Sequence, residues 1–366
     1  MKRAMPRLRS VALLLFAVFL FVLLLINADI AMDGVRQGLS LCTETLIPSL
    51  FPFLVLSELL VASGVGETLG RLLSRPVSAL FGLSGSGAVS LLLGSVCGFP
   101  VGTTTALALY QKGEMDKKEL QRVVLFANNP SSGFLIGAVG EALFGNRSAG
   151  VALFVITLLS AATVGVVLHI TQGTVASSNN IPPNGMQKRL SPADFTGSVK
   201  RGFSALLSVC AFVLFFACVS ECLTPLTERL ALPAPFCVLL RGALEMTTGI
   251  SSAVTTLSPA VAFRMTALFA SLSGLSVTLQ VFSVAEEAHL SLLPYCLAHL
   301  LQGAVALLFT ELFLRLFQPD FITAESVDAA TGTFVSPSPF LWLPFVTFLL
   351  IVIVHCHLKK RQTQHV

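Results

Sequence analysis

Charge is what this sequence has least of. Only 11% of its 366 residues are Asp, Glu, Lys or Arg, against roughly 25% in a soluble globular domain. Most of its surface must therefore face something other than water, which sets aside a soluble enzyme. Length alone would allow two soluble domains, but the apolar stretches argue for one membrane body. No CxxC pair occurs among Cys42, Cys97, Cys210, Cys218, Cys222, Cys237, Cys296 and Cys356, so no zinc or dithiol pattern is legible. Cys218 and Cys222 share a helix face, and read as small residues packing between helices. None of the six His stands in an HExxH arrangement. His289 and His299 are too far apart for one helix face to chelate a metal, and His355-Cys356-His357 is terminal. A P-loop and a Ser–His–Asp pattern are absent too. These absences point away from an enzyme and from any metal or cofactor. The net charge of +4 is spread over short loops, which gives nucleic-acid binding no support.

Apolar residue is what the chain has in quantity: 54% of the sequence, with a mean hydropathy of +0.83. It comes in runs at about 11–26, 46–63, 87–109, 121–144, 150–170, 203–223, 234–257, 260–283, 290–317 and 338–357. Most approach the roughly 20 residues that cross a hydrocarbon core. Helices are the reading, because a chain in lipid must satisfy its own backbone, and the alternation of a barrel is missing. The first run follows Lys2, Arg3, Arg7 and Arg9. A signal peptide cleaved near Ala28 is the alternative, but the long apolar run and Ile26 favour an uncleaved first helix.

Two runs are interrupted. Gly98-Phe99-Pro100-Val101-Gly102 breaks 87–109; Arg241, Glu245 and Thr247-Thr248-Gly249 break 234–257. Backbone that cannot stay helical at membrane depth must be buried in protein or line a cavity. Both are expected to be re-entrant hairpins. The charge pattern agrees: with the N-terminus inside, loop 28–45 (Asp29, Asp33, Glu44) lies outside and loop 64–80 (Arg71, Arg75) inside. A returning first hairpin keeps Lys112, Lys117, Lys118 and Arg122 inside. The linker 171–200 and the tail Lys359-Lys360-Arg361 then fall inside, and the acidic loop 318–337 outside. The expected fold class is an all-α polytopic membrane protein with about eight transmembrane helices and two re-entrant hairpins.

The halves echo each other in order. Ser57-Glu58-Leu59-Leu60 matches Ser220-Glu221-Cys222-Leu223. Leu92-Leu93-Gly94 matches Leu240-Arg241-Gly242, each opening a broken hairpin. Phe126-Ala127-Asn128-Asn129-Pro130-Ser131 matches Phe269-Ala270-Ser271-Leu272-Ser273-Gly274. The topology makes these repeats inverted, as in secondary transporters, whose sites lie between the repeats near the midplane.

Candidate site residues follow from the interruptions. Gly98, Pro100 and Gly102 mark a hairpin tip; a small-residue helix contact is the alternative, but Pro100 removes an amide donor. Asn128, Asn129 and Ser131 surround Pro130, which strips the carbonyl near Phe126 of its helical partner. Their amides suit a solute or an ion; the alternative is a kink with capped polar groups. Ser271, Ser273, Ser276 and Gln280 form the counterpart. Arg241, Glu245, Thr247, Thr248 and Gly249 share the second hairpin, where Arg241 suits an anion and Glu245 a cation or proton, unless Arg241 and Glu245 pair. Glu58, Glu221 and Glu245 are candidates for ion or proton coupling. Arg264 starts a span and reads as snorkelling, and Glu311 and Arg315 read as a plain ion pair.

These motifs resemble a known family. The Gly98–Gly102 tip is similar to a Gly-Tyr-Pro-x-Gly motif, Asn128-Asn129-Pro130-Ser131 to an Asn-rich motif, and Leu244–Gly249 and Gly274–Gln280 to second-half motifs, of the sporulation integral membrane protein YlbJ family, which carries the nucleoside-recognition gate domain. The resemblance spans about 30–320. It implies a permease acting in endospore formation, with dipicolinic acid as solute. A dianionic acid would suit Arg241 and oriented amides. Phe99 stands where the family has Tyr, and Ala270-Ser271 where it tends to have Gly-Gly. A nucleoside-type permease and a non-transporting membrane scaffold are the competing readings. The implied organisation is an N-terminal transmembrane helix over 1–28, gate-like repeats over 29–170 and 201–317 joined by a cytoplasmic linker at 171–200, and an outer loop, last helix and basic tail over 318–366. The expected partners are a small-molecule substrate and the lipid bilayer, with a homo-oligomer left open. The expected location is the inner (cytoplasmic) membrane or the outer forespore membrane, with both termini cytoplasmic.

Overall fold

A computed structural model describes residues 4–63, 65–175, 191–285, 288 and 290–319. All regular structure among them is helical. Helix α1 (Ala4–Ile26) leads into α2 (Ala28–Ser40), which continues through a π-helical turn (Leu41–Leu46) into α3 (Ile47–Ala62). Next come α4 (Val65–Phe81), α5 (Gly85–Cys97), α6 (Val101–Gln111), α7 (Lys117–Val124), a π-helical segment (Gly133–Leu143) and α8 (Arg147–Gln172). The second half holds α9 (Pro192–Cys222), α10 (Thr224–Arg229), α11 (Ala234–Leu244), α12 (Met246–Thr256), α13 (Pro259–Leu272), α14 (Gly274–Val284) and α15 (Leu292–Phe317). Starts are written in the sequence. Ser84, Asp116 and Asn146 cap their helices through side-chain oxygens. Ser191 and Asp194 form a capping box with Pro192 in the first turn of α9, an arrangement that satisfies otherwise orphaned amides.

Among the described residues, five helices are long and apolar enough to cross a membrane: Ala28–Leu60, Arg147–Gln172, Pro192–Arg229, Pro259–Val284 and Leu292–Phe317. The pair Gly70–Phe81 and Gly85–Cys97, bent by 92°, makes a sixth if taken as one span. The expected eight is therefore not reached among the described residues. The run 338–357 lies outside them, and the run 121–144 is split between α7 and the π-helical segment. Two expected loops are helical: 28–45 is absorbed into the long α2–α3 rod, and 64–80 forms α4. Sparse charges did not make either stretch a loop: α2 continues through Gly34 and Gly38, and α4 through Gly70 and Pro76.

The α2–α3 rod and α9 lie antiparallel. Gly34 backs onto Cys218, Gly38 onto Leu214, Cys42 reaches the Cys210 carbonyl, and Gly202 backs onto Val55. This is the relation that inverted repeats require of their first helices. The hairpins are inverted as well. Arms α5 and α6 fold back so that Gly94 meets Gly102; α11 and α12 fold back so that Gly242 meets Gly249. The first hairpin opens beside the end of α8, where the Val175 amide donates to the Gly82 carbonyl. The second opens at the far end, since α12 leads into the start of α13. Helix α13 runs antiparallel to α15, with Ser271 beside His299 and Arg264 paired to Glu311. Glu311 thus pairs across helices with Arg264 rather than as expected with Arg315.

Helix α15 displays the inside-out pattern of a lipid-facing element. Leu293, Leu297, Leu300, Leu308 and Leu316 are exposed, while His299, Gln302 and Thr310 are buried on the opposite side. Burying the polar side and exposing the leucines is unfavourable in water and suits a bilayer.

Candidate functional site

The first hairpin turns at Gly98, whose φ of 88° lies in the left-handed region, followed by a cis Phe99–Pro100 bond. Three backbones converge there. A Cβ on Gly94 would overlap the Ala127 carbonyl oxygen, and one on Gly102 would sit 2.5 Å from the same oxygen. The break in the next helix is thus pressed into the hairpin. The Phe99 amide donates to the Asn129 carbonyl at 3.0 Å.

Pro130 frees carbonyls as expected, and the two asparagines take them. Asn128 Nδ2 donates to the Val124 carbonyl and Asn129 Nδ2 to the Phe126 carbonyl, each at 2.9 Å. Asn128 Oδ1 accepts from the Thr103 amide at 3.2 Å and its hydroxyl at 2.8 Å. Asn129 Oδ1 accepts from Gln302 Nε2 at 2.8 Å. Both side chains are fully buried and occupied in holding the break open, which is the capped-kink alternative. Ser131 Oγ accepts from the Phe134 amide at 3.1 Å.

In the second half the break falls at Ser273 and Gly274, each with φ of 66°. A Cβ on Gly274 would sit 3.0 Å from the Gly242 carbonyl oxygen, so this break too is pressed into its hairpin. The hairpin itself turns at Glu245, whose carboxylate caps α12. Its two oxygens accept from the Thr247 amide at 2.9 Å and the Thr248 amide at 2.6 Å. Glu245 is 2% exposed, so the positive end of α12 holds a buried carboxylate.

Between the two tips lies a small cavity of about 30 Å³, lined by Cys97, Gly98 and Phe99 from one tip and Glu245, Met246 and Thr247 from the other. Ser131 and Phe134 from the first broken helix, Val277 and Gln280 from the second, and leucines and valines of the α2–α3 rod and α9 complete it. Of the candidate residues, Gly98, Ser131, Glu245, Thr247 and Gln280 meet here. Pro100, Gly102 and Gly249 shape the hairpins. Ser271, Ser273 and Ser276 are buried in the second break, where Ser276 accepts from Gln280 Nε2 at 3.3 Å.

Arg241 lies elsewhere. It is bonded to Glu221 at 2.8 Å and to Thr224 at 3.0 Å. With Glu221 and Thr248 it lines a larger cavity of about 590 Å³ at the open end of the second hairpin. It does not pair with Glu245. Glu58 bonds Arg201 on the flank of the α3–α9 pair, away from both cavities.

Helix α15 contributes what the sequence reading missed. Gln302 bonds Asn129 at the first break, and His299 Nδ1 meets the Ser271 carbonyl at the second, 2.9 Å away. The Tyr295 ring packs on His299 at a tilt of 46°, with centroids 4.3 Å apart. His299 Nε2, Gln302 Oε1 and the hydroxyls of Ser271 and Ser273 have no hydrogen-bond partner, so this buried seam carries unused polar capacity. The available signal was the recurrence of Tyr295, His299 and Gln302 on one face of a leucine-rich run. Among the described residues no group of three or more His, Cys, Asp or Glu is arranged to hold a metal.

Fold and site together define an all-helical, multi-pass membrane protein whose two oppositely inserted hairpins close on a common cavity. Residues 43–226, half of the chain, match the family described as "Gate: Nucleoside recognition". The chain belongs to that family. It is also similar to the sporulation integral membrane protein YlbJ of Bacillus subtilis (strain 168), with 26% identity over 335 residues, covering 82% of this chain and 81% of that protein. No solved structure matches.

Proposed function

We propose that this chain is a secondary transporter for a small polar metabolite bound between the two hairpin tips. The observation that carries the reading is a cavity to which both tips and both broken helices contribute. Paired discontinuous helices around a midplane site are the recurring design of such carriers. At about 30 Å³ the cavity has room for a water or two, so this conformation is closed and the solute enters when the tips part. The larger cavity beside Arg241 is a vestibule on one side. A scaffold would have no use for backbone broken at membrane depth, where each unpaired group is costly.

The proposed solute is an anionic aromatic acid, dipicolinic acid, and the proposed setting is endospore formation, in keeping with the word sporulation in the name of the Bacillus relative. Its placement is the cytoplasmic or outer forespore membrane, with both termini inside. A second reading, a nucleoside-type permease, is favoured by the uncharged Ser131, Thr247 and Gln280 and by the absence of Lys or Arg from the cavity lining. Proteoliposomes holding the full chain decide between them. Uptake of labelled dipicolinate, lost in Gln280→Ala and not displaced by uridine, supports the acid. Uptake of uridine alone transfers the assignment to nucleosides, and uptake of neither defeats the transport reading.

A further inference from the structure

Several carboxylates and histidines lie within the apolar helices and hairpins, and most of them already have their bonds. Glu221 is paired with Arg241, Glu311 with Arg264 and Glu58 with Arg201. Both oxygens of Glu245 accept from backbone amides, so a proton added there would compete with the cap of α12. His169 has both ring nitrogens engaged, one on the Leu80 carbonyl and one on the Thr174 hydroxyl. His299 differs from all of these.

His299 lies in the apolar span Leu292–Phe317 and is buried. Its Nδ1 is 2.9 Å from the Ser271 carbonyl oxygen. A carbonyl can only accept, so Nδ1 carries a hydrogen. In the neutral ring Nε2 is then a bare lone pair, and it has no partner. Protonation turns Nε2 into a donor and leaves the bond to Ser271 as it is. Acceptors stand in reserve on the same seam, since Gln302 Oε1 and the hydroxyls of Ser271 and Ser273 are partnerless too. No charged side chain among the described residues is bonded to His299. The Tyr295 ring packs on it. Helix α13 carries Arg264, held by Glu311 about two turns from Ser271. Helix α14 and residues 125–132 carry no titratable group, and α8 carries Arg147 and His169 near its two ends. Helix α7 brings Lys118 and Arg122 to the cavity that Tyr295 also lines. Nothing fixes the charge of the ring in advance, and histidines at membrane depth serve as proton relays in transporters.

We infer that His299 Nε2 carries one proton together with the solute, so that transport is proton-coupled. The inference rests on the transport reading above. The ring bonds the second break, and the helix that follows this break brings Gln280 to the central cavity. A positive ring favours an anionic solute between the tips, and the solute favours the positive ring by the same factor. The lone pair of Nε2 takes a proton from water on the entry side, and the same N–H bond gives it up to water on the exit side. In this closed form Nε2 is sealed from water, as a carried proton requires.

The test uses proteoliposomes of the full chain with a pH-sensitive dye inside, the membrane potential clamped at zero, and labelled dipicolinate or uridine, whichever the wild type takes up. Under an inward proton gradient of one pH unit, one coupled proton should raise steady-state accumulation about tenfold. The lumen should acidify further as solute enters. H299N keeps a donor at the position of Nδ1 and has no group that takes a proton. It is expected to melt close to wild type and to equilibrate the solute, with neither accumulation nor solute-driven acidification. If H299N is not recovered folded, H299Q, whose amide reaches the position of Nε2, takes its place with the same expectation. Wild-type uptake that moves no proton overturns the inference and leaves the carrier reading standing, whereas absence of any uptake defeats both. Solute-driven acidification that persists in the His299 variant places the proton elsewhere and overturns the inference as well.

Discussion

The closeness of the hairpin arms makes Gly94 the most demanding position to alter. A methyl added there would overlap the Ala127 carbonyl oxygen and sit 2.7 Å from Gly102 Cα. Carbon atoms rest comfortably at about 3.5–4.0 Å, so the opposing arm must retreat by about 1 Å and the broken helix by more. Neither neighbour is a side chain that can swing aside. Overpacking of this kind costs roughly 1–3 kcal/mol and sometimes more. Alanine returns up to about 1 kcal/mol through helix propensity, leaving a net loss of about 2 kcal/mol. Gly137→Ala is the matched control, since its nearest neighbour, Ser49 Cβ, is 3.8 Å away. In detergent, thermal unfolding followed by size exclusion should place Gly94→Ala roughly 5 °C below wild type, at about 2–4 °C per kcal/mol. Gly137→Ala should match or exceed wild type, and solute uptake should fall only in Gly94→Ala. Equal melting of the two variants would refute the three-backbone contact, and with it the hairpin.

Other substitutions probe the remaining joints. Gln302→Leu leaves Asn129 Oδ1 buried without its donor, which should cost about 1–3 kcal/mol and be visible as a lowered melting temperature. Glu245→Ala removes the carboxylate that holds the Thr247 and Thr248 amides. Loss of a helix cap costs about 0.5–2 kcal/mol, and hydrogen exchange should rise at the start of α12 before the rest of the chain. Arg264→Ala breaks a half-exposed pair with Glu311, whose side chains are 34% and 41% accessible. Such a pair is worth at most about 1 kcal/mol, so melting within roughly 3 °C of wild type is expected.

The fold was legible wherever apolar runs meet strong punctuation. Gly98-Phe99-Pro100 announced the first hairpin because a proline and a left-handed glycine cannot continue a helix. Pro130 announced a break for the same reason. What failed to show was the use of the side chains around each break. Asn128 and Asn129 look like free amides in sequence, yet both ends of each amide are engaged, by Val124 and Thr103 for Asn128 and by Phe126 and Gln302 for Asn129. Arg241 and Glu245 stand one helical turn apart, and helix spacing suggests a pair. The backbone turns at Glu245, however, which sends the carboxylate to α12 and leaves Arg241 with Glu221. The role of α15 was hidden because His299 and Gln302 are single polar residues in a leucine-rich run. Their meaning depends on the distant breaks they touch.

That dependence makes α15 the strut of the proposed cycle. One face of it is tied to the first break through Gln302 and to the second through His299, two positions less than one turn apart. Each break is in turn pressed into its own hairpin, through Ala127 on Gly94 and Gly102, and through Gly274 on Gly242. Parting the tips therefore cannot leave both ties unchanged. If the first hairpin moves with its break, the Gln302–Asn129 bond lengthens; if the second moves, the His299–Ser271 bond does. The partnerless atoms on this seam, His299 Nε2, Gln302 Oε1 and the Ser271 and Ser273 hydroxyls, are then the groups available to form replacement bonds in the open states. A buried polar seam with capacity to spare can exchange one set of hydrogen bonds for another at small net cost, because the penalty in lipid falls on groups left with no partner at all.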